Sequence, residues 1–285
     1  MPEAAATVAA LLEAAATRLR HAGTTDPRRE AWRIWADLEE AAGRRPNPAA
    51  REEIASRDSR KRYEEAVARR VAGEPLAYVT GVAGFRRLTL RSDRRALIPR
   101  PETEGLVDLM LARAPGGRIA DAGTGSGCIA LALADEGRYD LVIATDRSRE
   151  ALGLARENQS RTGLPILLVL GDLLSAFRAR SLDAVVSNPP YLTEAEYDAL
   201  EGAVRDWEPR EALASGRDGL AATRLVIEQA ARVTRRGGWL GLEVDATRAP
   251  DVAQLASESG WIDATVHMDL FDRARYVLAR RSEAE

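Results

Sequence analysis

Residues 118–128 read RIADAGTGSGC: a short apolar run, an aspartate, and glycines at 123, 125 and 127. The run has the length of a buried strand, and glycines directly after it predict a tight turn that opens a helix. Lacking Cβ atoms, such a turn brings backbone close to a ligand, with the free amides of the helix start facing it. A Gly-x-Gly alone says little. Here the third glycine follows the second by two residues rather than three, and Cys128 stands where a dinucleotide fingerprint keeps glycine, which argues against NAD.

Outward from this turn the pattern repeats. Strand-like runs RIADAGT (118–124), LVIATD (141–146), ILLVLGD (166–172), LDAVVSN (182–188) and WLGLEV (239–244) precede a final pair, ATVHMDL (264–270) and ARYVLAR (274–280). Between them lie helix-like stretches, notably 149–163, 219–237 and 251–260. This alternation predicts an α/β fold with a mostly parallel sheet and helices on both faces. Upstream, residues 1–73 hold three helix-compatible stretches, 3–23, 26–43 and 48–73, each closed by a glycine. Trp32, Trp35 and Leu38 recur there at helical spacing, as the core of a small bundle or as a partner-binding face. Residues 74–100 contain the short extended pieces YVTGVAGF, LTLRS and ALIP and read as a β-hairpin linker, which leaves 101–285 as the α/β domain.

Composition sets bounds. The 285 residues are 45% hydrophobic and 30% charged with a formal net charge of −3, enough for a full core and against a broad electrostatic embrace of nucleic acid. One cysteine, Cys128, excludes an internal disulfide, and His21 and His267 are too few and too far apart in sequence to suggest a metal site. No apolar run approaches the length of a membrane span, and Glu3 and Glu13 stand where a signal peptide carries basic residues. The expectation is a cytoplasmic monomer that holds no metal.

Acids close successive strands: Asp121, Asp146 and Asp172. A carboxylate after the second strand suits the paired hydroxyls of a ribose, and Asp172, with Leu173 beside it, suits the amine and ring of adenine. The alternative for both is a cap on the following helix. Residues 187–191, SNPPY, follow a buried strand. Asn188 offers an acceptor and two donors, the prolines remove amides and leave carbonyls to accept, and Tyr191 can cover a flat group. Such acceptors fit a planar NH2, whether of an amide or of an exocyclic base amine; otherwise the segment is a turn.

The glycine loop and acids together resemble the class I methyltransferase fold, which is Rossmann-like and binds S-adenosylmethionine. GEPLAYVTGVAGF (73–85), ALIPRPETEGLVD (96–108), VSNPPY (186–191) and WEPREAL (207–213) closely resemble the release factor glutamine methyltransferases, a protein-(glutamine-N5) methyltransferase family. The resemblance implies a substrate-docking helical domain (1–73), a hairpin linker (74–100) and a catalytic domain (101–285). The implied reaction is methylation of the glutamine side chain in the Gly-Gly-Gln loop of peptide chain release factors. Carried over by position, it implies cofactor contact at Gly123, Thr124, Gly125, Ser126 and Gly127, with Asp146 at the ribose and Asp172 and Leu173 near adenine. Arg100, Pro101, Glu102 and Thr103 would lie beside the methionyl end, unless they merely start a helix. Asn188, Pro189, Pro190 and Tyr191 would surround the substrate amide, with Asn188, Pro189 and Tyr191 catalytic and Asn188 also touching cofactor.

The chain departs from that family at Phe85-Arg86, where an aromatic pair is common, and at glycine positions after Glu243 (to Ala246) and within 269–273. Six arginines against one aspartate between Gly84 and Arg100 suggest either a solvated hairpin face or a surface for an acidic partner. Three rivals share the motifs: a ribosomal-protein glutamine methyltransferase, an adenine-N6 nucleic-acid methyltransferase, and a non-catalytic module of the same fold. The acidic chain, with no evident target-recognition domain, leads us to expect no direct nucleic-acid substrate.

Overall fold

The computed structural model describes residues 6–49 and 52–283. Glu3 with the start of the first helix-like stretch, and residues 50–51 within the third, thus lie outside the described residues. By internal contacts the chain forms two compact units. One runs through Val82 and includes Gly202–Trp207; the other comprises Ala83–Glu201 and the residues from Glu208 onward. The division falls inside the segment read as a linker.

The first unit is helical: α1 (Val8–His21), α2 (Pro27–Ala41), α3 (Arg57–Val71) and α4 (Leu76–Thr80). Thr7, Asp26 and Ser56 each accept a backbone amide at a helix start, and Pro27 begins α2 where no amide partner is needed. Leu11, Ala15 and Leu19 of α1 pack with Ile34 and Trp35 of α2 and with Tyr63 and Val67 of α3. Trp35 meets Tyr63 edge to face at 5.4 Å, and the Tyr63 hydroxyl donates to the Ala31 carbonyl at 3.0 Å. The tryptophan spacing therefore serves a core, with Trp32 and Leu38 packed at its margin.

Two expectations fail here. The 48–73 stretch is not one helix: Ser56 caps α3, and Ile54 pairs as an isolated bridge with Thr7. Tyr78–Thr80, read as part of a short extended piece, lie in α4. Pro75 starts that helix, left-handed Gly81 (φ +77°) stops it, and Arg69, held by Glu74, donates to the otherwise open carbonyls of Tyr78 and Val79.

The second unit opens with a hairpin, β1 (Val82–Phe85) and β2 (Leu88–Arg91). Then follow α5 (Thr103–Arg113), β3 (Gly116–Ala122), α6 (Cys128–Glu136), β4 (Arg138–Asp146), α7 (Arg149–Thr162), β5 (Leu167–Leu170) and β6 (Leu182–Ser187). After the short α8 (Glu194–Asp198), and α9 (Gly202–Arg205) of the first unit, come α10 (Ala221–Val233), β7 (Thr234–Glu243), α11 (Ala249–Glu258), β8 (Trp261–Met268) and β9 (Ala274–Arg281). Residues 96–99, expected extended, form no strand. Helical periodicity extends through 237, yet α10 ends at Val233 and β7 begins at once, because Thr234 pairs with Leu182.

Seven strands form one sheet in the order β5-β4-β3-β6-β7-β9-β8, parallel through β7 and antiparallel at β9 and β8. Period-two alternation divides its side chains between two cores. Ile119, Val142, Ala144, Ala184 and Val186 join Leu106, Met110 and Leu131 of α5 and α6. Ala120, Ile143, Val185 and Leu240 join Val226, Ile227 and Val252 of α10 and α11. Because both faces are covered, a ligand's place is beyond the carboxyl ends of the parallel strands, where connections cross over.

Candidate active site

At that end, β3 runs into the glycine loop. Gly123, Gly125 and Gly127 all take left-handed backbone angles (φ +75°, +55° and +84°), which turn the chain back within five residues to start α6. The amides of Gly123 and Thr124 both donate to the Thr145 carbonyl, fastening the loop to the end of β4. A Cβ added at Gly123 would meet nothing within 4 Å, so the space before the loop is open. Below it, Asp121 is fully buried; its Oδ2 accepts from Thr124 Oγ1 (2.5 Å) and Ala130 N (3.2 Å), while Oδ1 has no partner. Burial pushes this carboxyl up to about 7 against those two hydrogen bonds. Asp121 thus braces the loop from inside. Asn158 of α7, also fully buried, bonds the Ser126 carbonyl and both backbone groups of Arg91, joining loop to hairpin. The sequence reading misses it; a lone asparagine in a helical stretch carries no visible signal.

Asp146 ends β4 half-buried. One of its oxygens accepts Gly125 N (2.9 Å) and the other Ser148 N (2.8 Å). It does not cap α7, because Ser148 does so through its own hydroxyl. Asp172 is exposed, its carboxylate accepts no hydrogen bond from the described residues, and no helix follows it directly. The capping alternative therefore has no support at either position. Leu173 is left-handed (φ +50°), and its carbonyl accepts from Thr145 Oγ1 at 2.9 Å. The structure thus gathers 123–127, Asp146, Asp172 and Leu173 at one pole of the sheet.

Asn188 leaves β6 at the same pole. Its Nδ2 donates to Thr103 Oγ1 at 3.2 Å, and its Oδ1 accepts nothing from the described residues. Pro189 is buried, and burial raises the Tyr191 hydroxyl above its ordinary pKa. Leu192, just beyond, pairs its backbone with Leu213 and Ser215. The 207–213 block also anchors the segment before α5. Glu208, almost fully buried, receives Arg100 Nη2 (2.5 Å) and the Ile98 amide (3.1 Å). Arg100 to Thr103 are thereby placed beside Asn188. Glu102 does not cap α5 with its side chain. Its carboxylate meets Arg273 at 3.1 Å, and its carbonyl accepts from Tyr276 Oη.

Glu243, at the end of β7, enters the sequence reading only as the marker of a departure. It is 2% exposed, with Oε2 unpartnered. Burial pushes it up to about 7, against pulls from Thr103, Arg275 and Asn188. A signal for it exists in the sequence, since it closes an apolar strand as Asp146 does.

Asp272 adopts φ +56°, a conformation glycine holds most easily and aspartate tolerates, while Asp269 gathers the Phe271 and Arg273 amides. Arg86, at φ +52° in the hairpin turn, forks onto Glu136 (2.5 and 2.8 Å) and also reaches Asp108 (2.7 Å). Arg91 and Arg95 pair with Glu157, so these hairpin arginines bind acids of their own unit. Among the described residues no three His, Cys, Asp or Glu side chains cluster as metal ligands, and no helix is long and apolar enough to cross a membrane.

Comparisons with known proteins converge. The Methyltransferase small domain family matches residues 102–206, and the PrmC N-terminal domain family matches residues 10–81. A release factor glutamine methyltransferase of Nitratidesulfovibrio vulgaris is 42% identical over 228 residues, 77% of each chain. One from Moorella thermoacetica is 40% identical over 278 residues, covering 94% of this chain and 96% of its own. A methyltransferase structure from Pyrococcus furiosus, 16% identical, superimposes with a TM-score of 0.52 over 68% of this chain and 88% of that one, which bears on the fold alone.

Proposed function

Because the chain belongs to the release factor glutamine methyltransferase family, and so uses S-adenosylmethionine to methylate protein glutamine, we propose that its target is N5 of the glutamine in the Gly-Gly-Gln loop of peptide chain release factors. One observation carries this reading: Asn188, just past the end of β6, is anchored through Nδ2 to Thr103 while its Oδ1 accepts nothing from the described residues.

The residues present fit the cofactor. Open space precedes Gly123, both oxygens of Asp146 keep lone pairs beyond their single amide bonds, and Asp172 has its whole carboxylate available. These groups would hold the ribose and adenine, and Arg100 to Thr103 would border the methionyl end. When bound, S-adenosylmethionine supplies a methyl group made electrophilic by its sulfonium.

Everything else falls to the chain. A glutamine nitrogen is a poor nucleophile because its lone pair is delocalised into the carbonyl. Asn188 Oδ1 accepts one of its hydrogens, and a backbone carbonyl of the proline segment, where no competing amide exists, accepts the other. Held by both, the nitrogen presents its lone pair toward the methyl, and the same acceptors favour the positive charge that grows on it. Tyr191 covers the flat group and excludes water. Transfer would form the N–CH3 bond as the sulfonium S–CH3 bond breaks and leaves a neutral thioether, and the nitrogen's surplus proton would pass to solvent, so that no strong general base is required.

The test is transfer of labelled methyl to a purified release factor, to its Gln→Ala variant in the Gly-Gly-Gln loop, and to adenine-containing DNA. Label on the first alone is expected; label on the Gln→Ala variant or on DNA refutes the reading.

A further inference from the structure

We propose that Glu243 is the positioning residue of this site: together with Thr103 it locks the Asn188 side chain with its NH2 inward and its Oδ1 toward the substrate. This rests on the reading that Asn188 Oδ1 receives the substrate amide.

An asparagine amide has two orientations of nearly equal shape that exchange donor for acceptor, so its hydrogen-bond partners alone decide which is occupied. A site that needs an outward acceptor must therefore offer acceptors on the inner side. Thr103 Oγ1 is one, at 3.2 Å from Nδ2. The strand register supplies the other. Ser187 of β6 lies opposite Leu242 of β7, so Asn188 and Glu243 are the next residues as the two parallel strands end side by side. A threonine hydroxyl both donates and accepts and leaves the amide free to turn over, whereas an ionised carboxylate only accepts. Glu243 is thus the group that makes the choice one-sided.

Its setting is otherwise difficult to explain by packing. The side chain is 2% exposed, and Oε2 has no partner in the described residues. A hydrophobic residue of similar size fills such a place at lower cost. Arg275 and Glu102 are the charged groups nearest to it in effect, and Tyr191, Tyr276 and Cys128 also feel its charge. With burial holding its pKa at about 7, a protonated fraction exists near neutrality. The protonated carboxyl offers an O–H toward Asn188, which suits an inward Oδ1 and blocks the productive orientation. Activity should accordingly rise as pH passes through about 7.

The experiment compares the wild-type chain with Glu243→Ala and Glu243→Gln. It reads kcat and KM for a release factor, S-adenosylmethionine affinity by calorimetry, and exchange of the Asn188 side-chain amide protons by NMR, assigned through their absence in Asn188→Asp. Glu243→Ala should lower kcat about tenfold or more while cofactor affinity stays within about threefold, as loss of one charged hydrogen bond at the acceptor implies. Its Asn188 amide protons should exchange faster. Glu243→Gln both donates and accepts, as the protonated carboxyl does, and cannot titrate, so it should lower kcat at pH 8 toward the value that the wild type shows at low pH and flatten the pH profile.

The proposal is overturned by an unchanged kcat in Glu243→Ala, by kcat and cofactor affinity falling together, or by unchanged amide exchange. If Glu243→Ala fails to fold, a Glu243→Gln profile that keeps the wild-type pH dependence overturns it equally. A wild-type chain that labels no release factor refutes the function proposed above, and the exchange comparison then still decides the role of Glu243.

Discussion

Removing the Arg86 side chain should cost the catalytic unit several kcal/mol although it lies in a surface hairpin. Arg86 is 13% exposed and Glu136 12%, so their forked ion pair is largely out of water. Truncating one partner of a buried pair leaves the other charge unpaired, at about 3–5 kcal/mol. Asp108, 66% exposed, adds little beyond this. The bond from the Arg86 amide to Glu104 Oε1 survives any substitution that keeps the turn. Two variants separate the charge from the backbone. Arg86→Ala loses the pair yet retains a Cβ at φ +52°; Arg86→Gly loses the pair but escapes the left-handed penalty. Glycine should therefore be about 1 kcal/mol less damaging than alanine, the reverse of the usual ranking. Urea unfolding at unchanged m, with hydrogen exchange at the hairpin amides, measures both. A cost below about 1 kcal/mol for Arg86→Ala refutes the buried-pair argument. A glycine variant no more stable than the alanine one refutes the claim of backbone strain.

Three further outcomes follow from the site. Asn188→Ala should abolish most methyl transfer while cofactor affinity, measured by calorimetry, changes only about two- to threefold; equal loss of both makes Asn188 structural. Asp146→Ala should weaken S-adenosylmethionine binding about 10- to 100-fold through lost charge-assisted bonds to the ribose, and an unchanged Kd excludes that contact. Asp121 has a folded pKa raised from 3.8 to about 7, so the folded state binds the extra proton. Its contribution to stability is present below about pH 4 and is lost as pH rises to about 7. Asp121→Asn should flatten stability against pH in that window, and an unaltered slope in chemical denaturation would exclude the shift.

The legible part of this protein lies where chemistry and spacing coincide. Three glycines after an apolar run, and an asparagine before two prolines, have few other uses, and both segments lie at the carboxyl pole of the sheet. Helix starts at Thr7, Asp26 and Ser56 follow from hydroxyl or carboxylate caps, though Ser56 is hidden inside an apparently continuous helical stretch. The illegible part depends on partners distant in sequence. Thr234 begins a strand because Leu182 lies beside it, not because local periodicity changes. Glu208 and Glu243 look like ordinary acids until folding buries one against Arg100 and the other beside Asn188. The hairpin arginines resemble a surface for a partner in sequence because their acids lie far along the chain, on α5, α6 and α7.

Residues 202–207 belong to the helical unit although nearly all of that unit is complete by Val82. On the ribosome this imposes a schedule. At about 5–20 residues per second, the last piece of the N-terminal unit is made about 6–25 s after the rest of it. Until then its helices wait without one of their packing partners, while the strands of the other unit are still being delivered through β6. The two units therefore cannot mature strictly one after the other, and a chain cut after Val82 lacks a portion of the first.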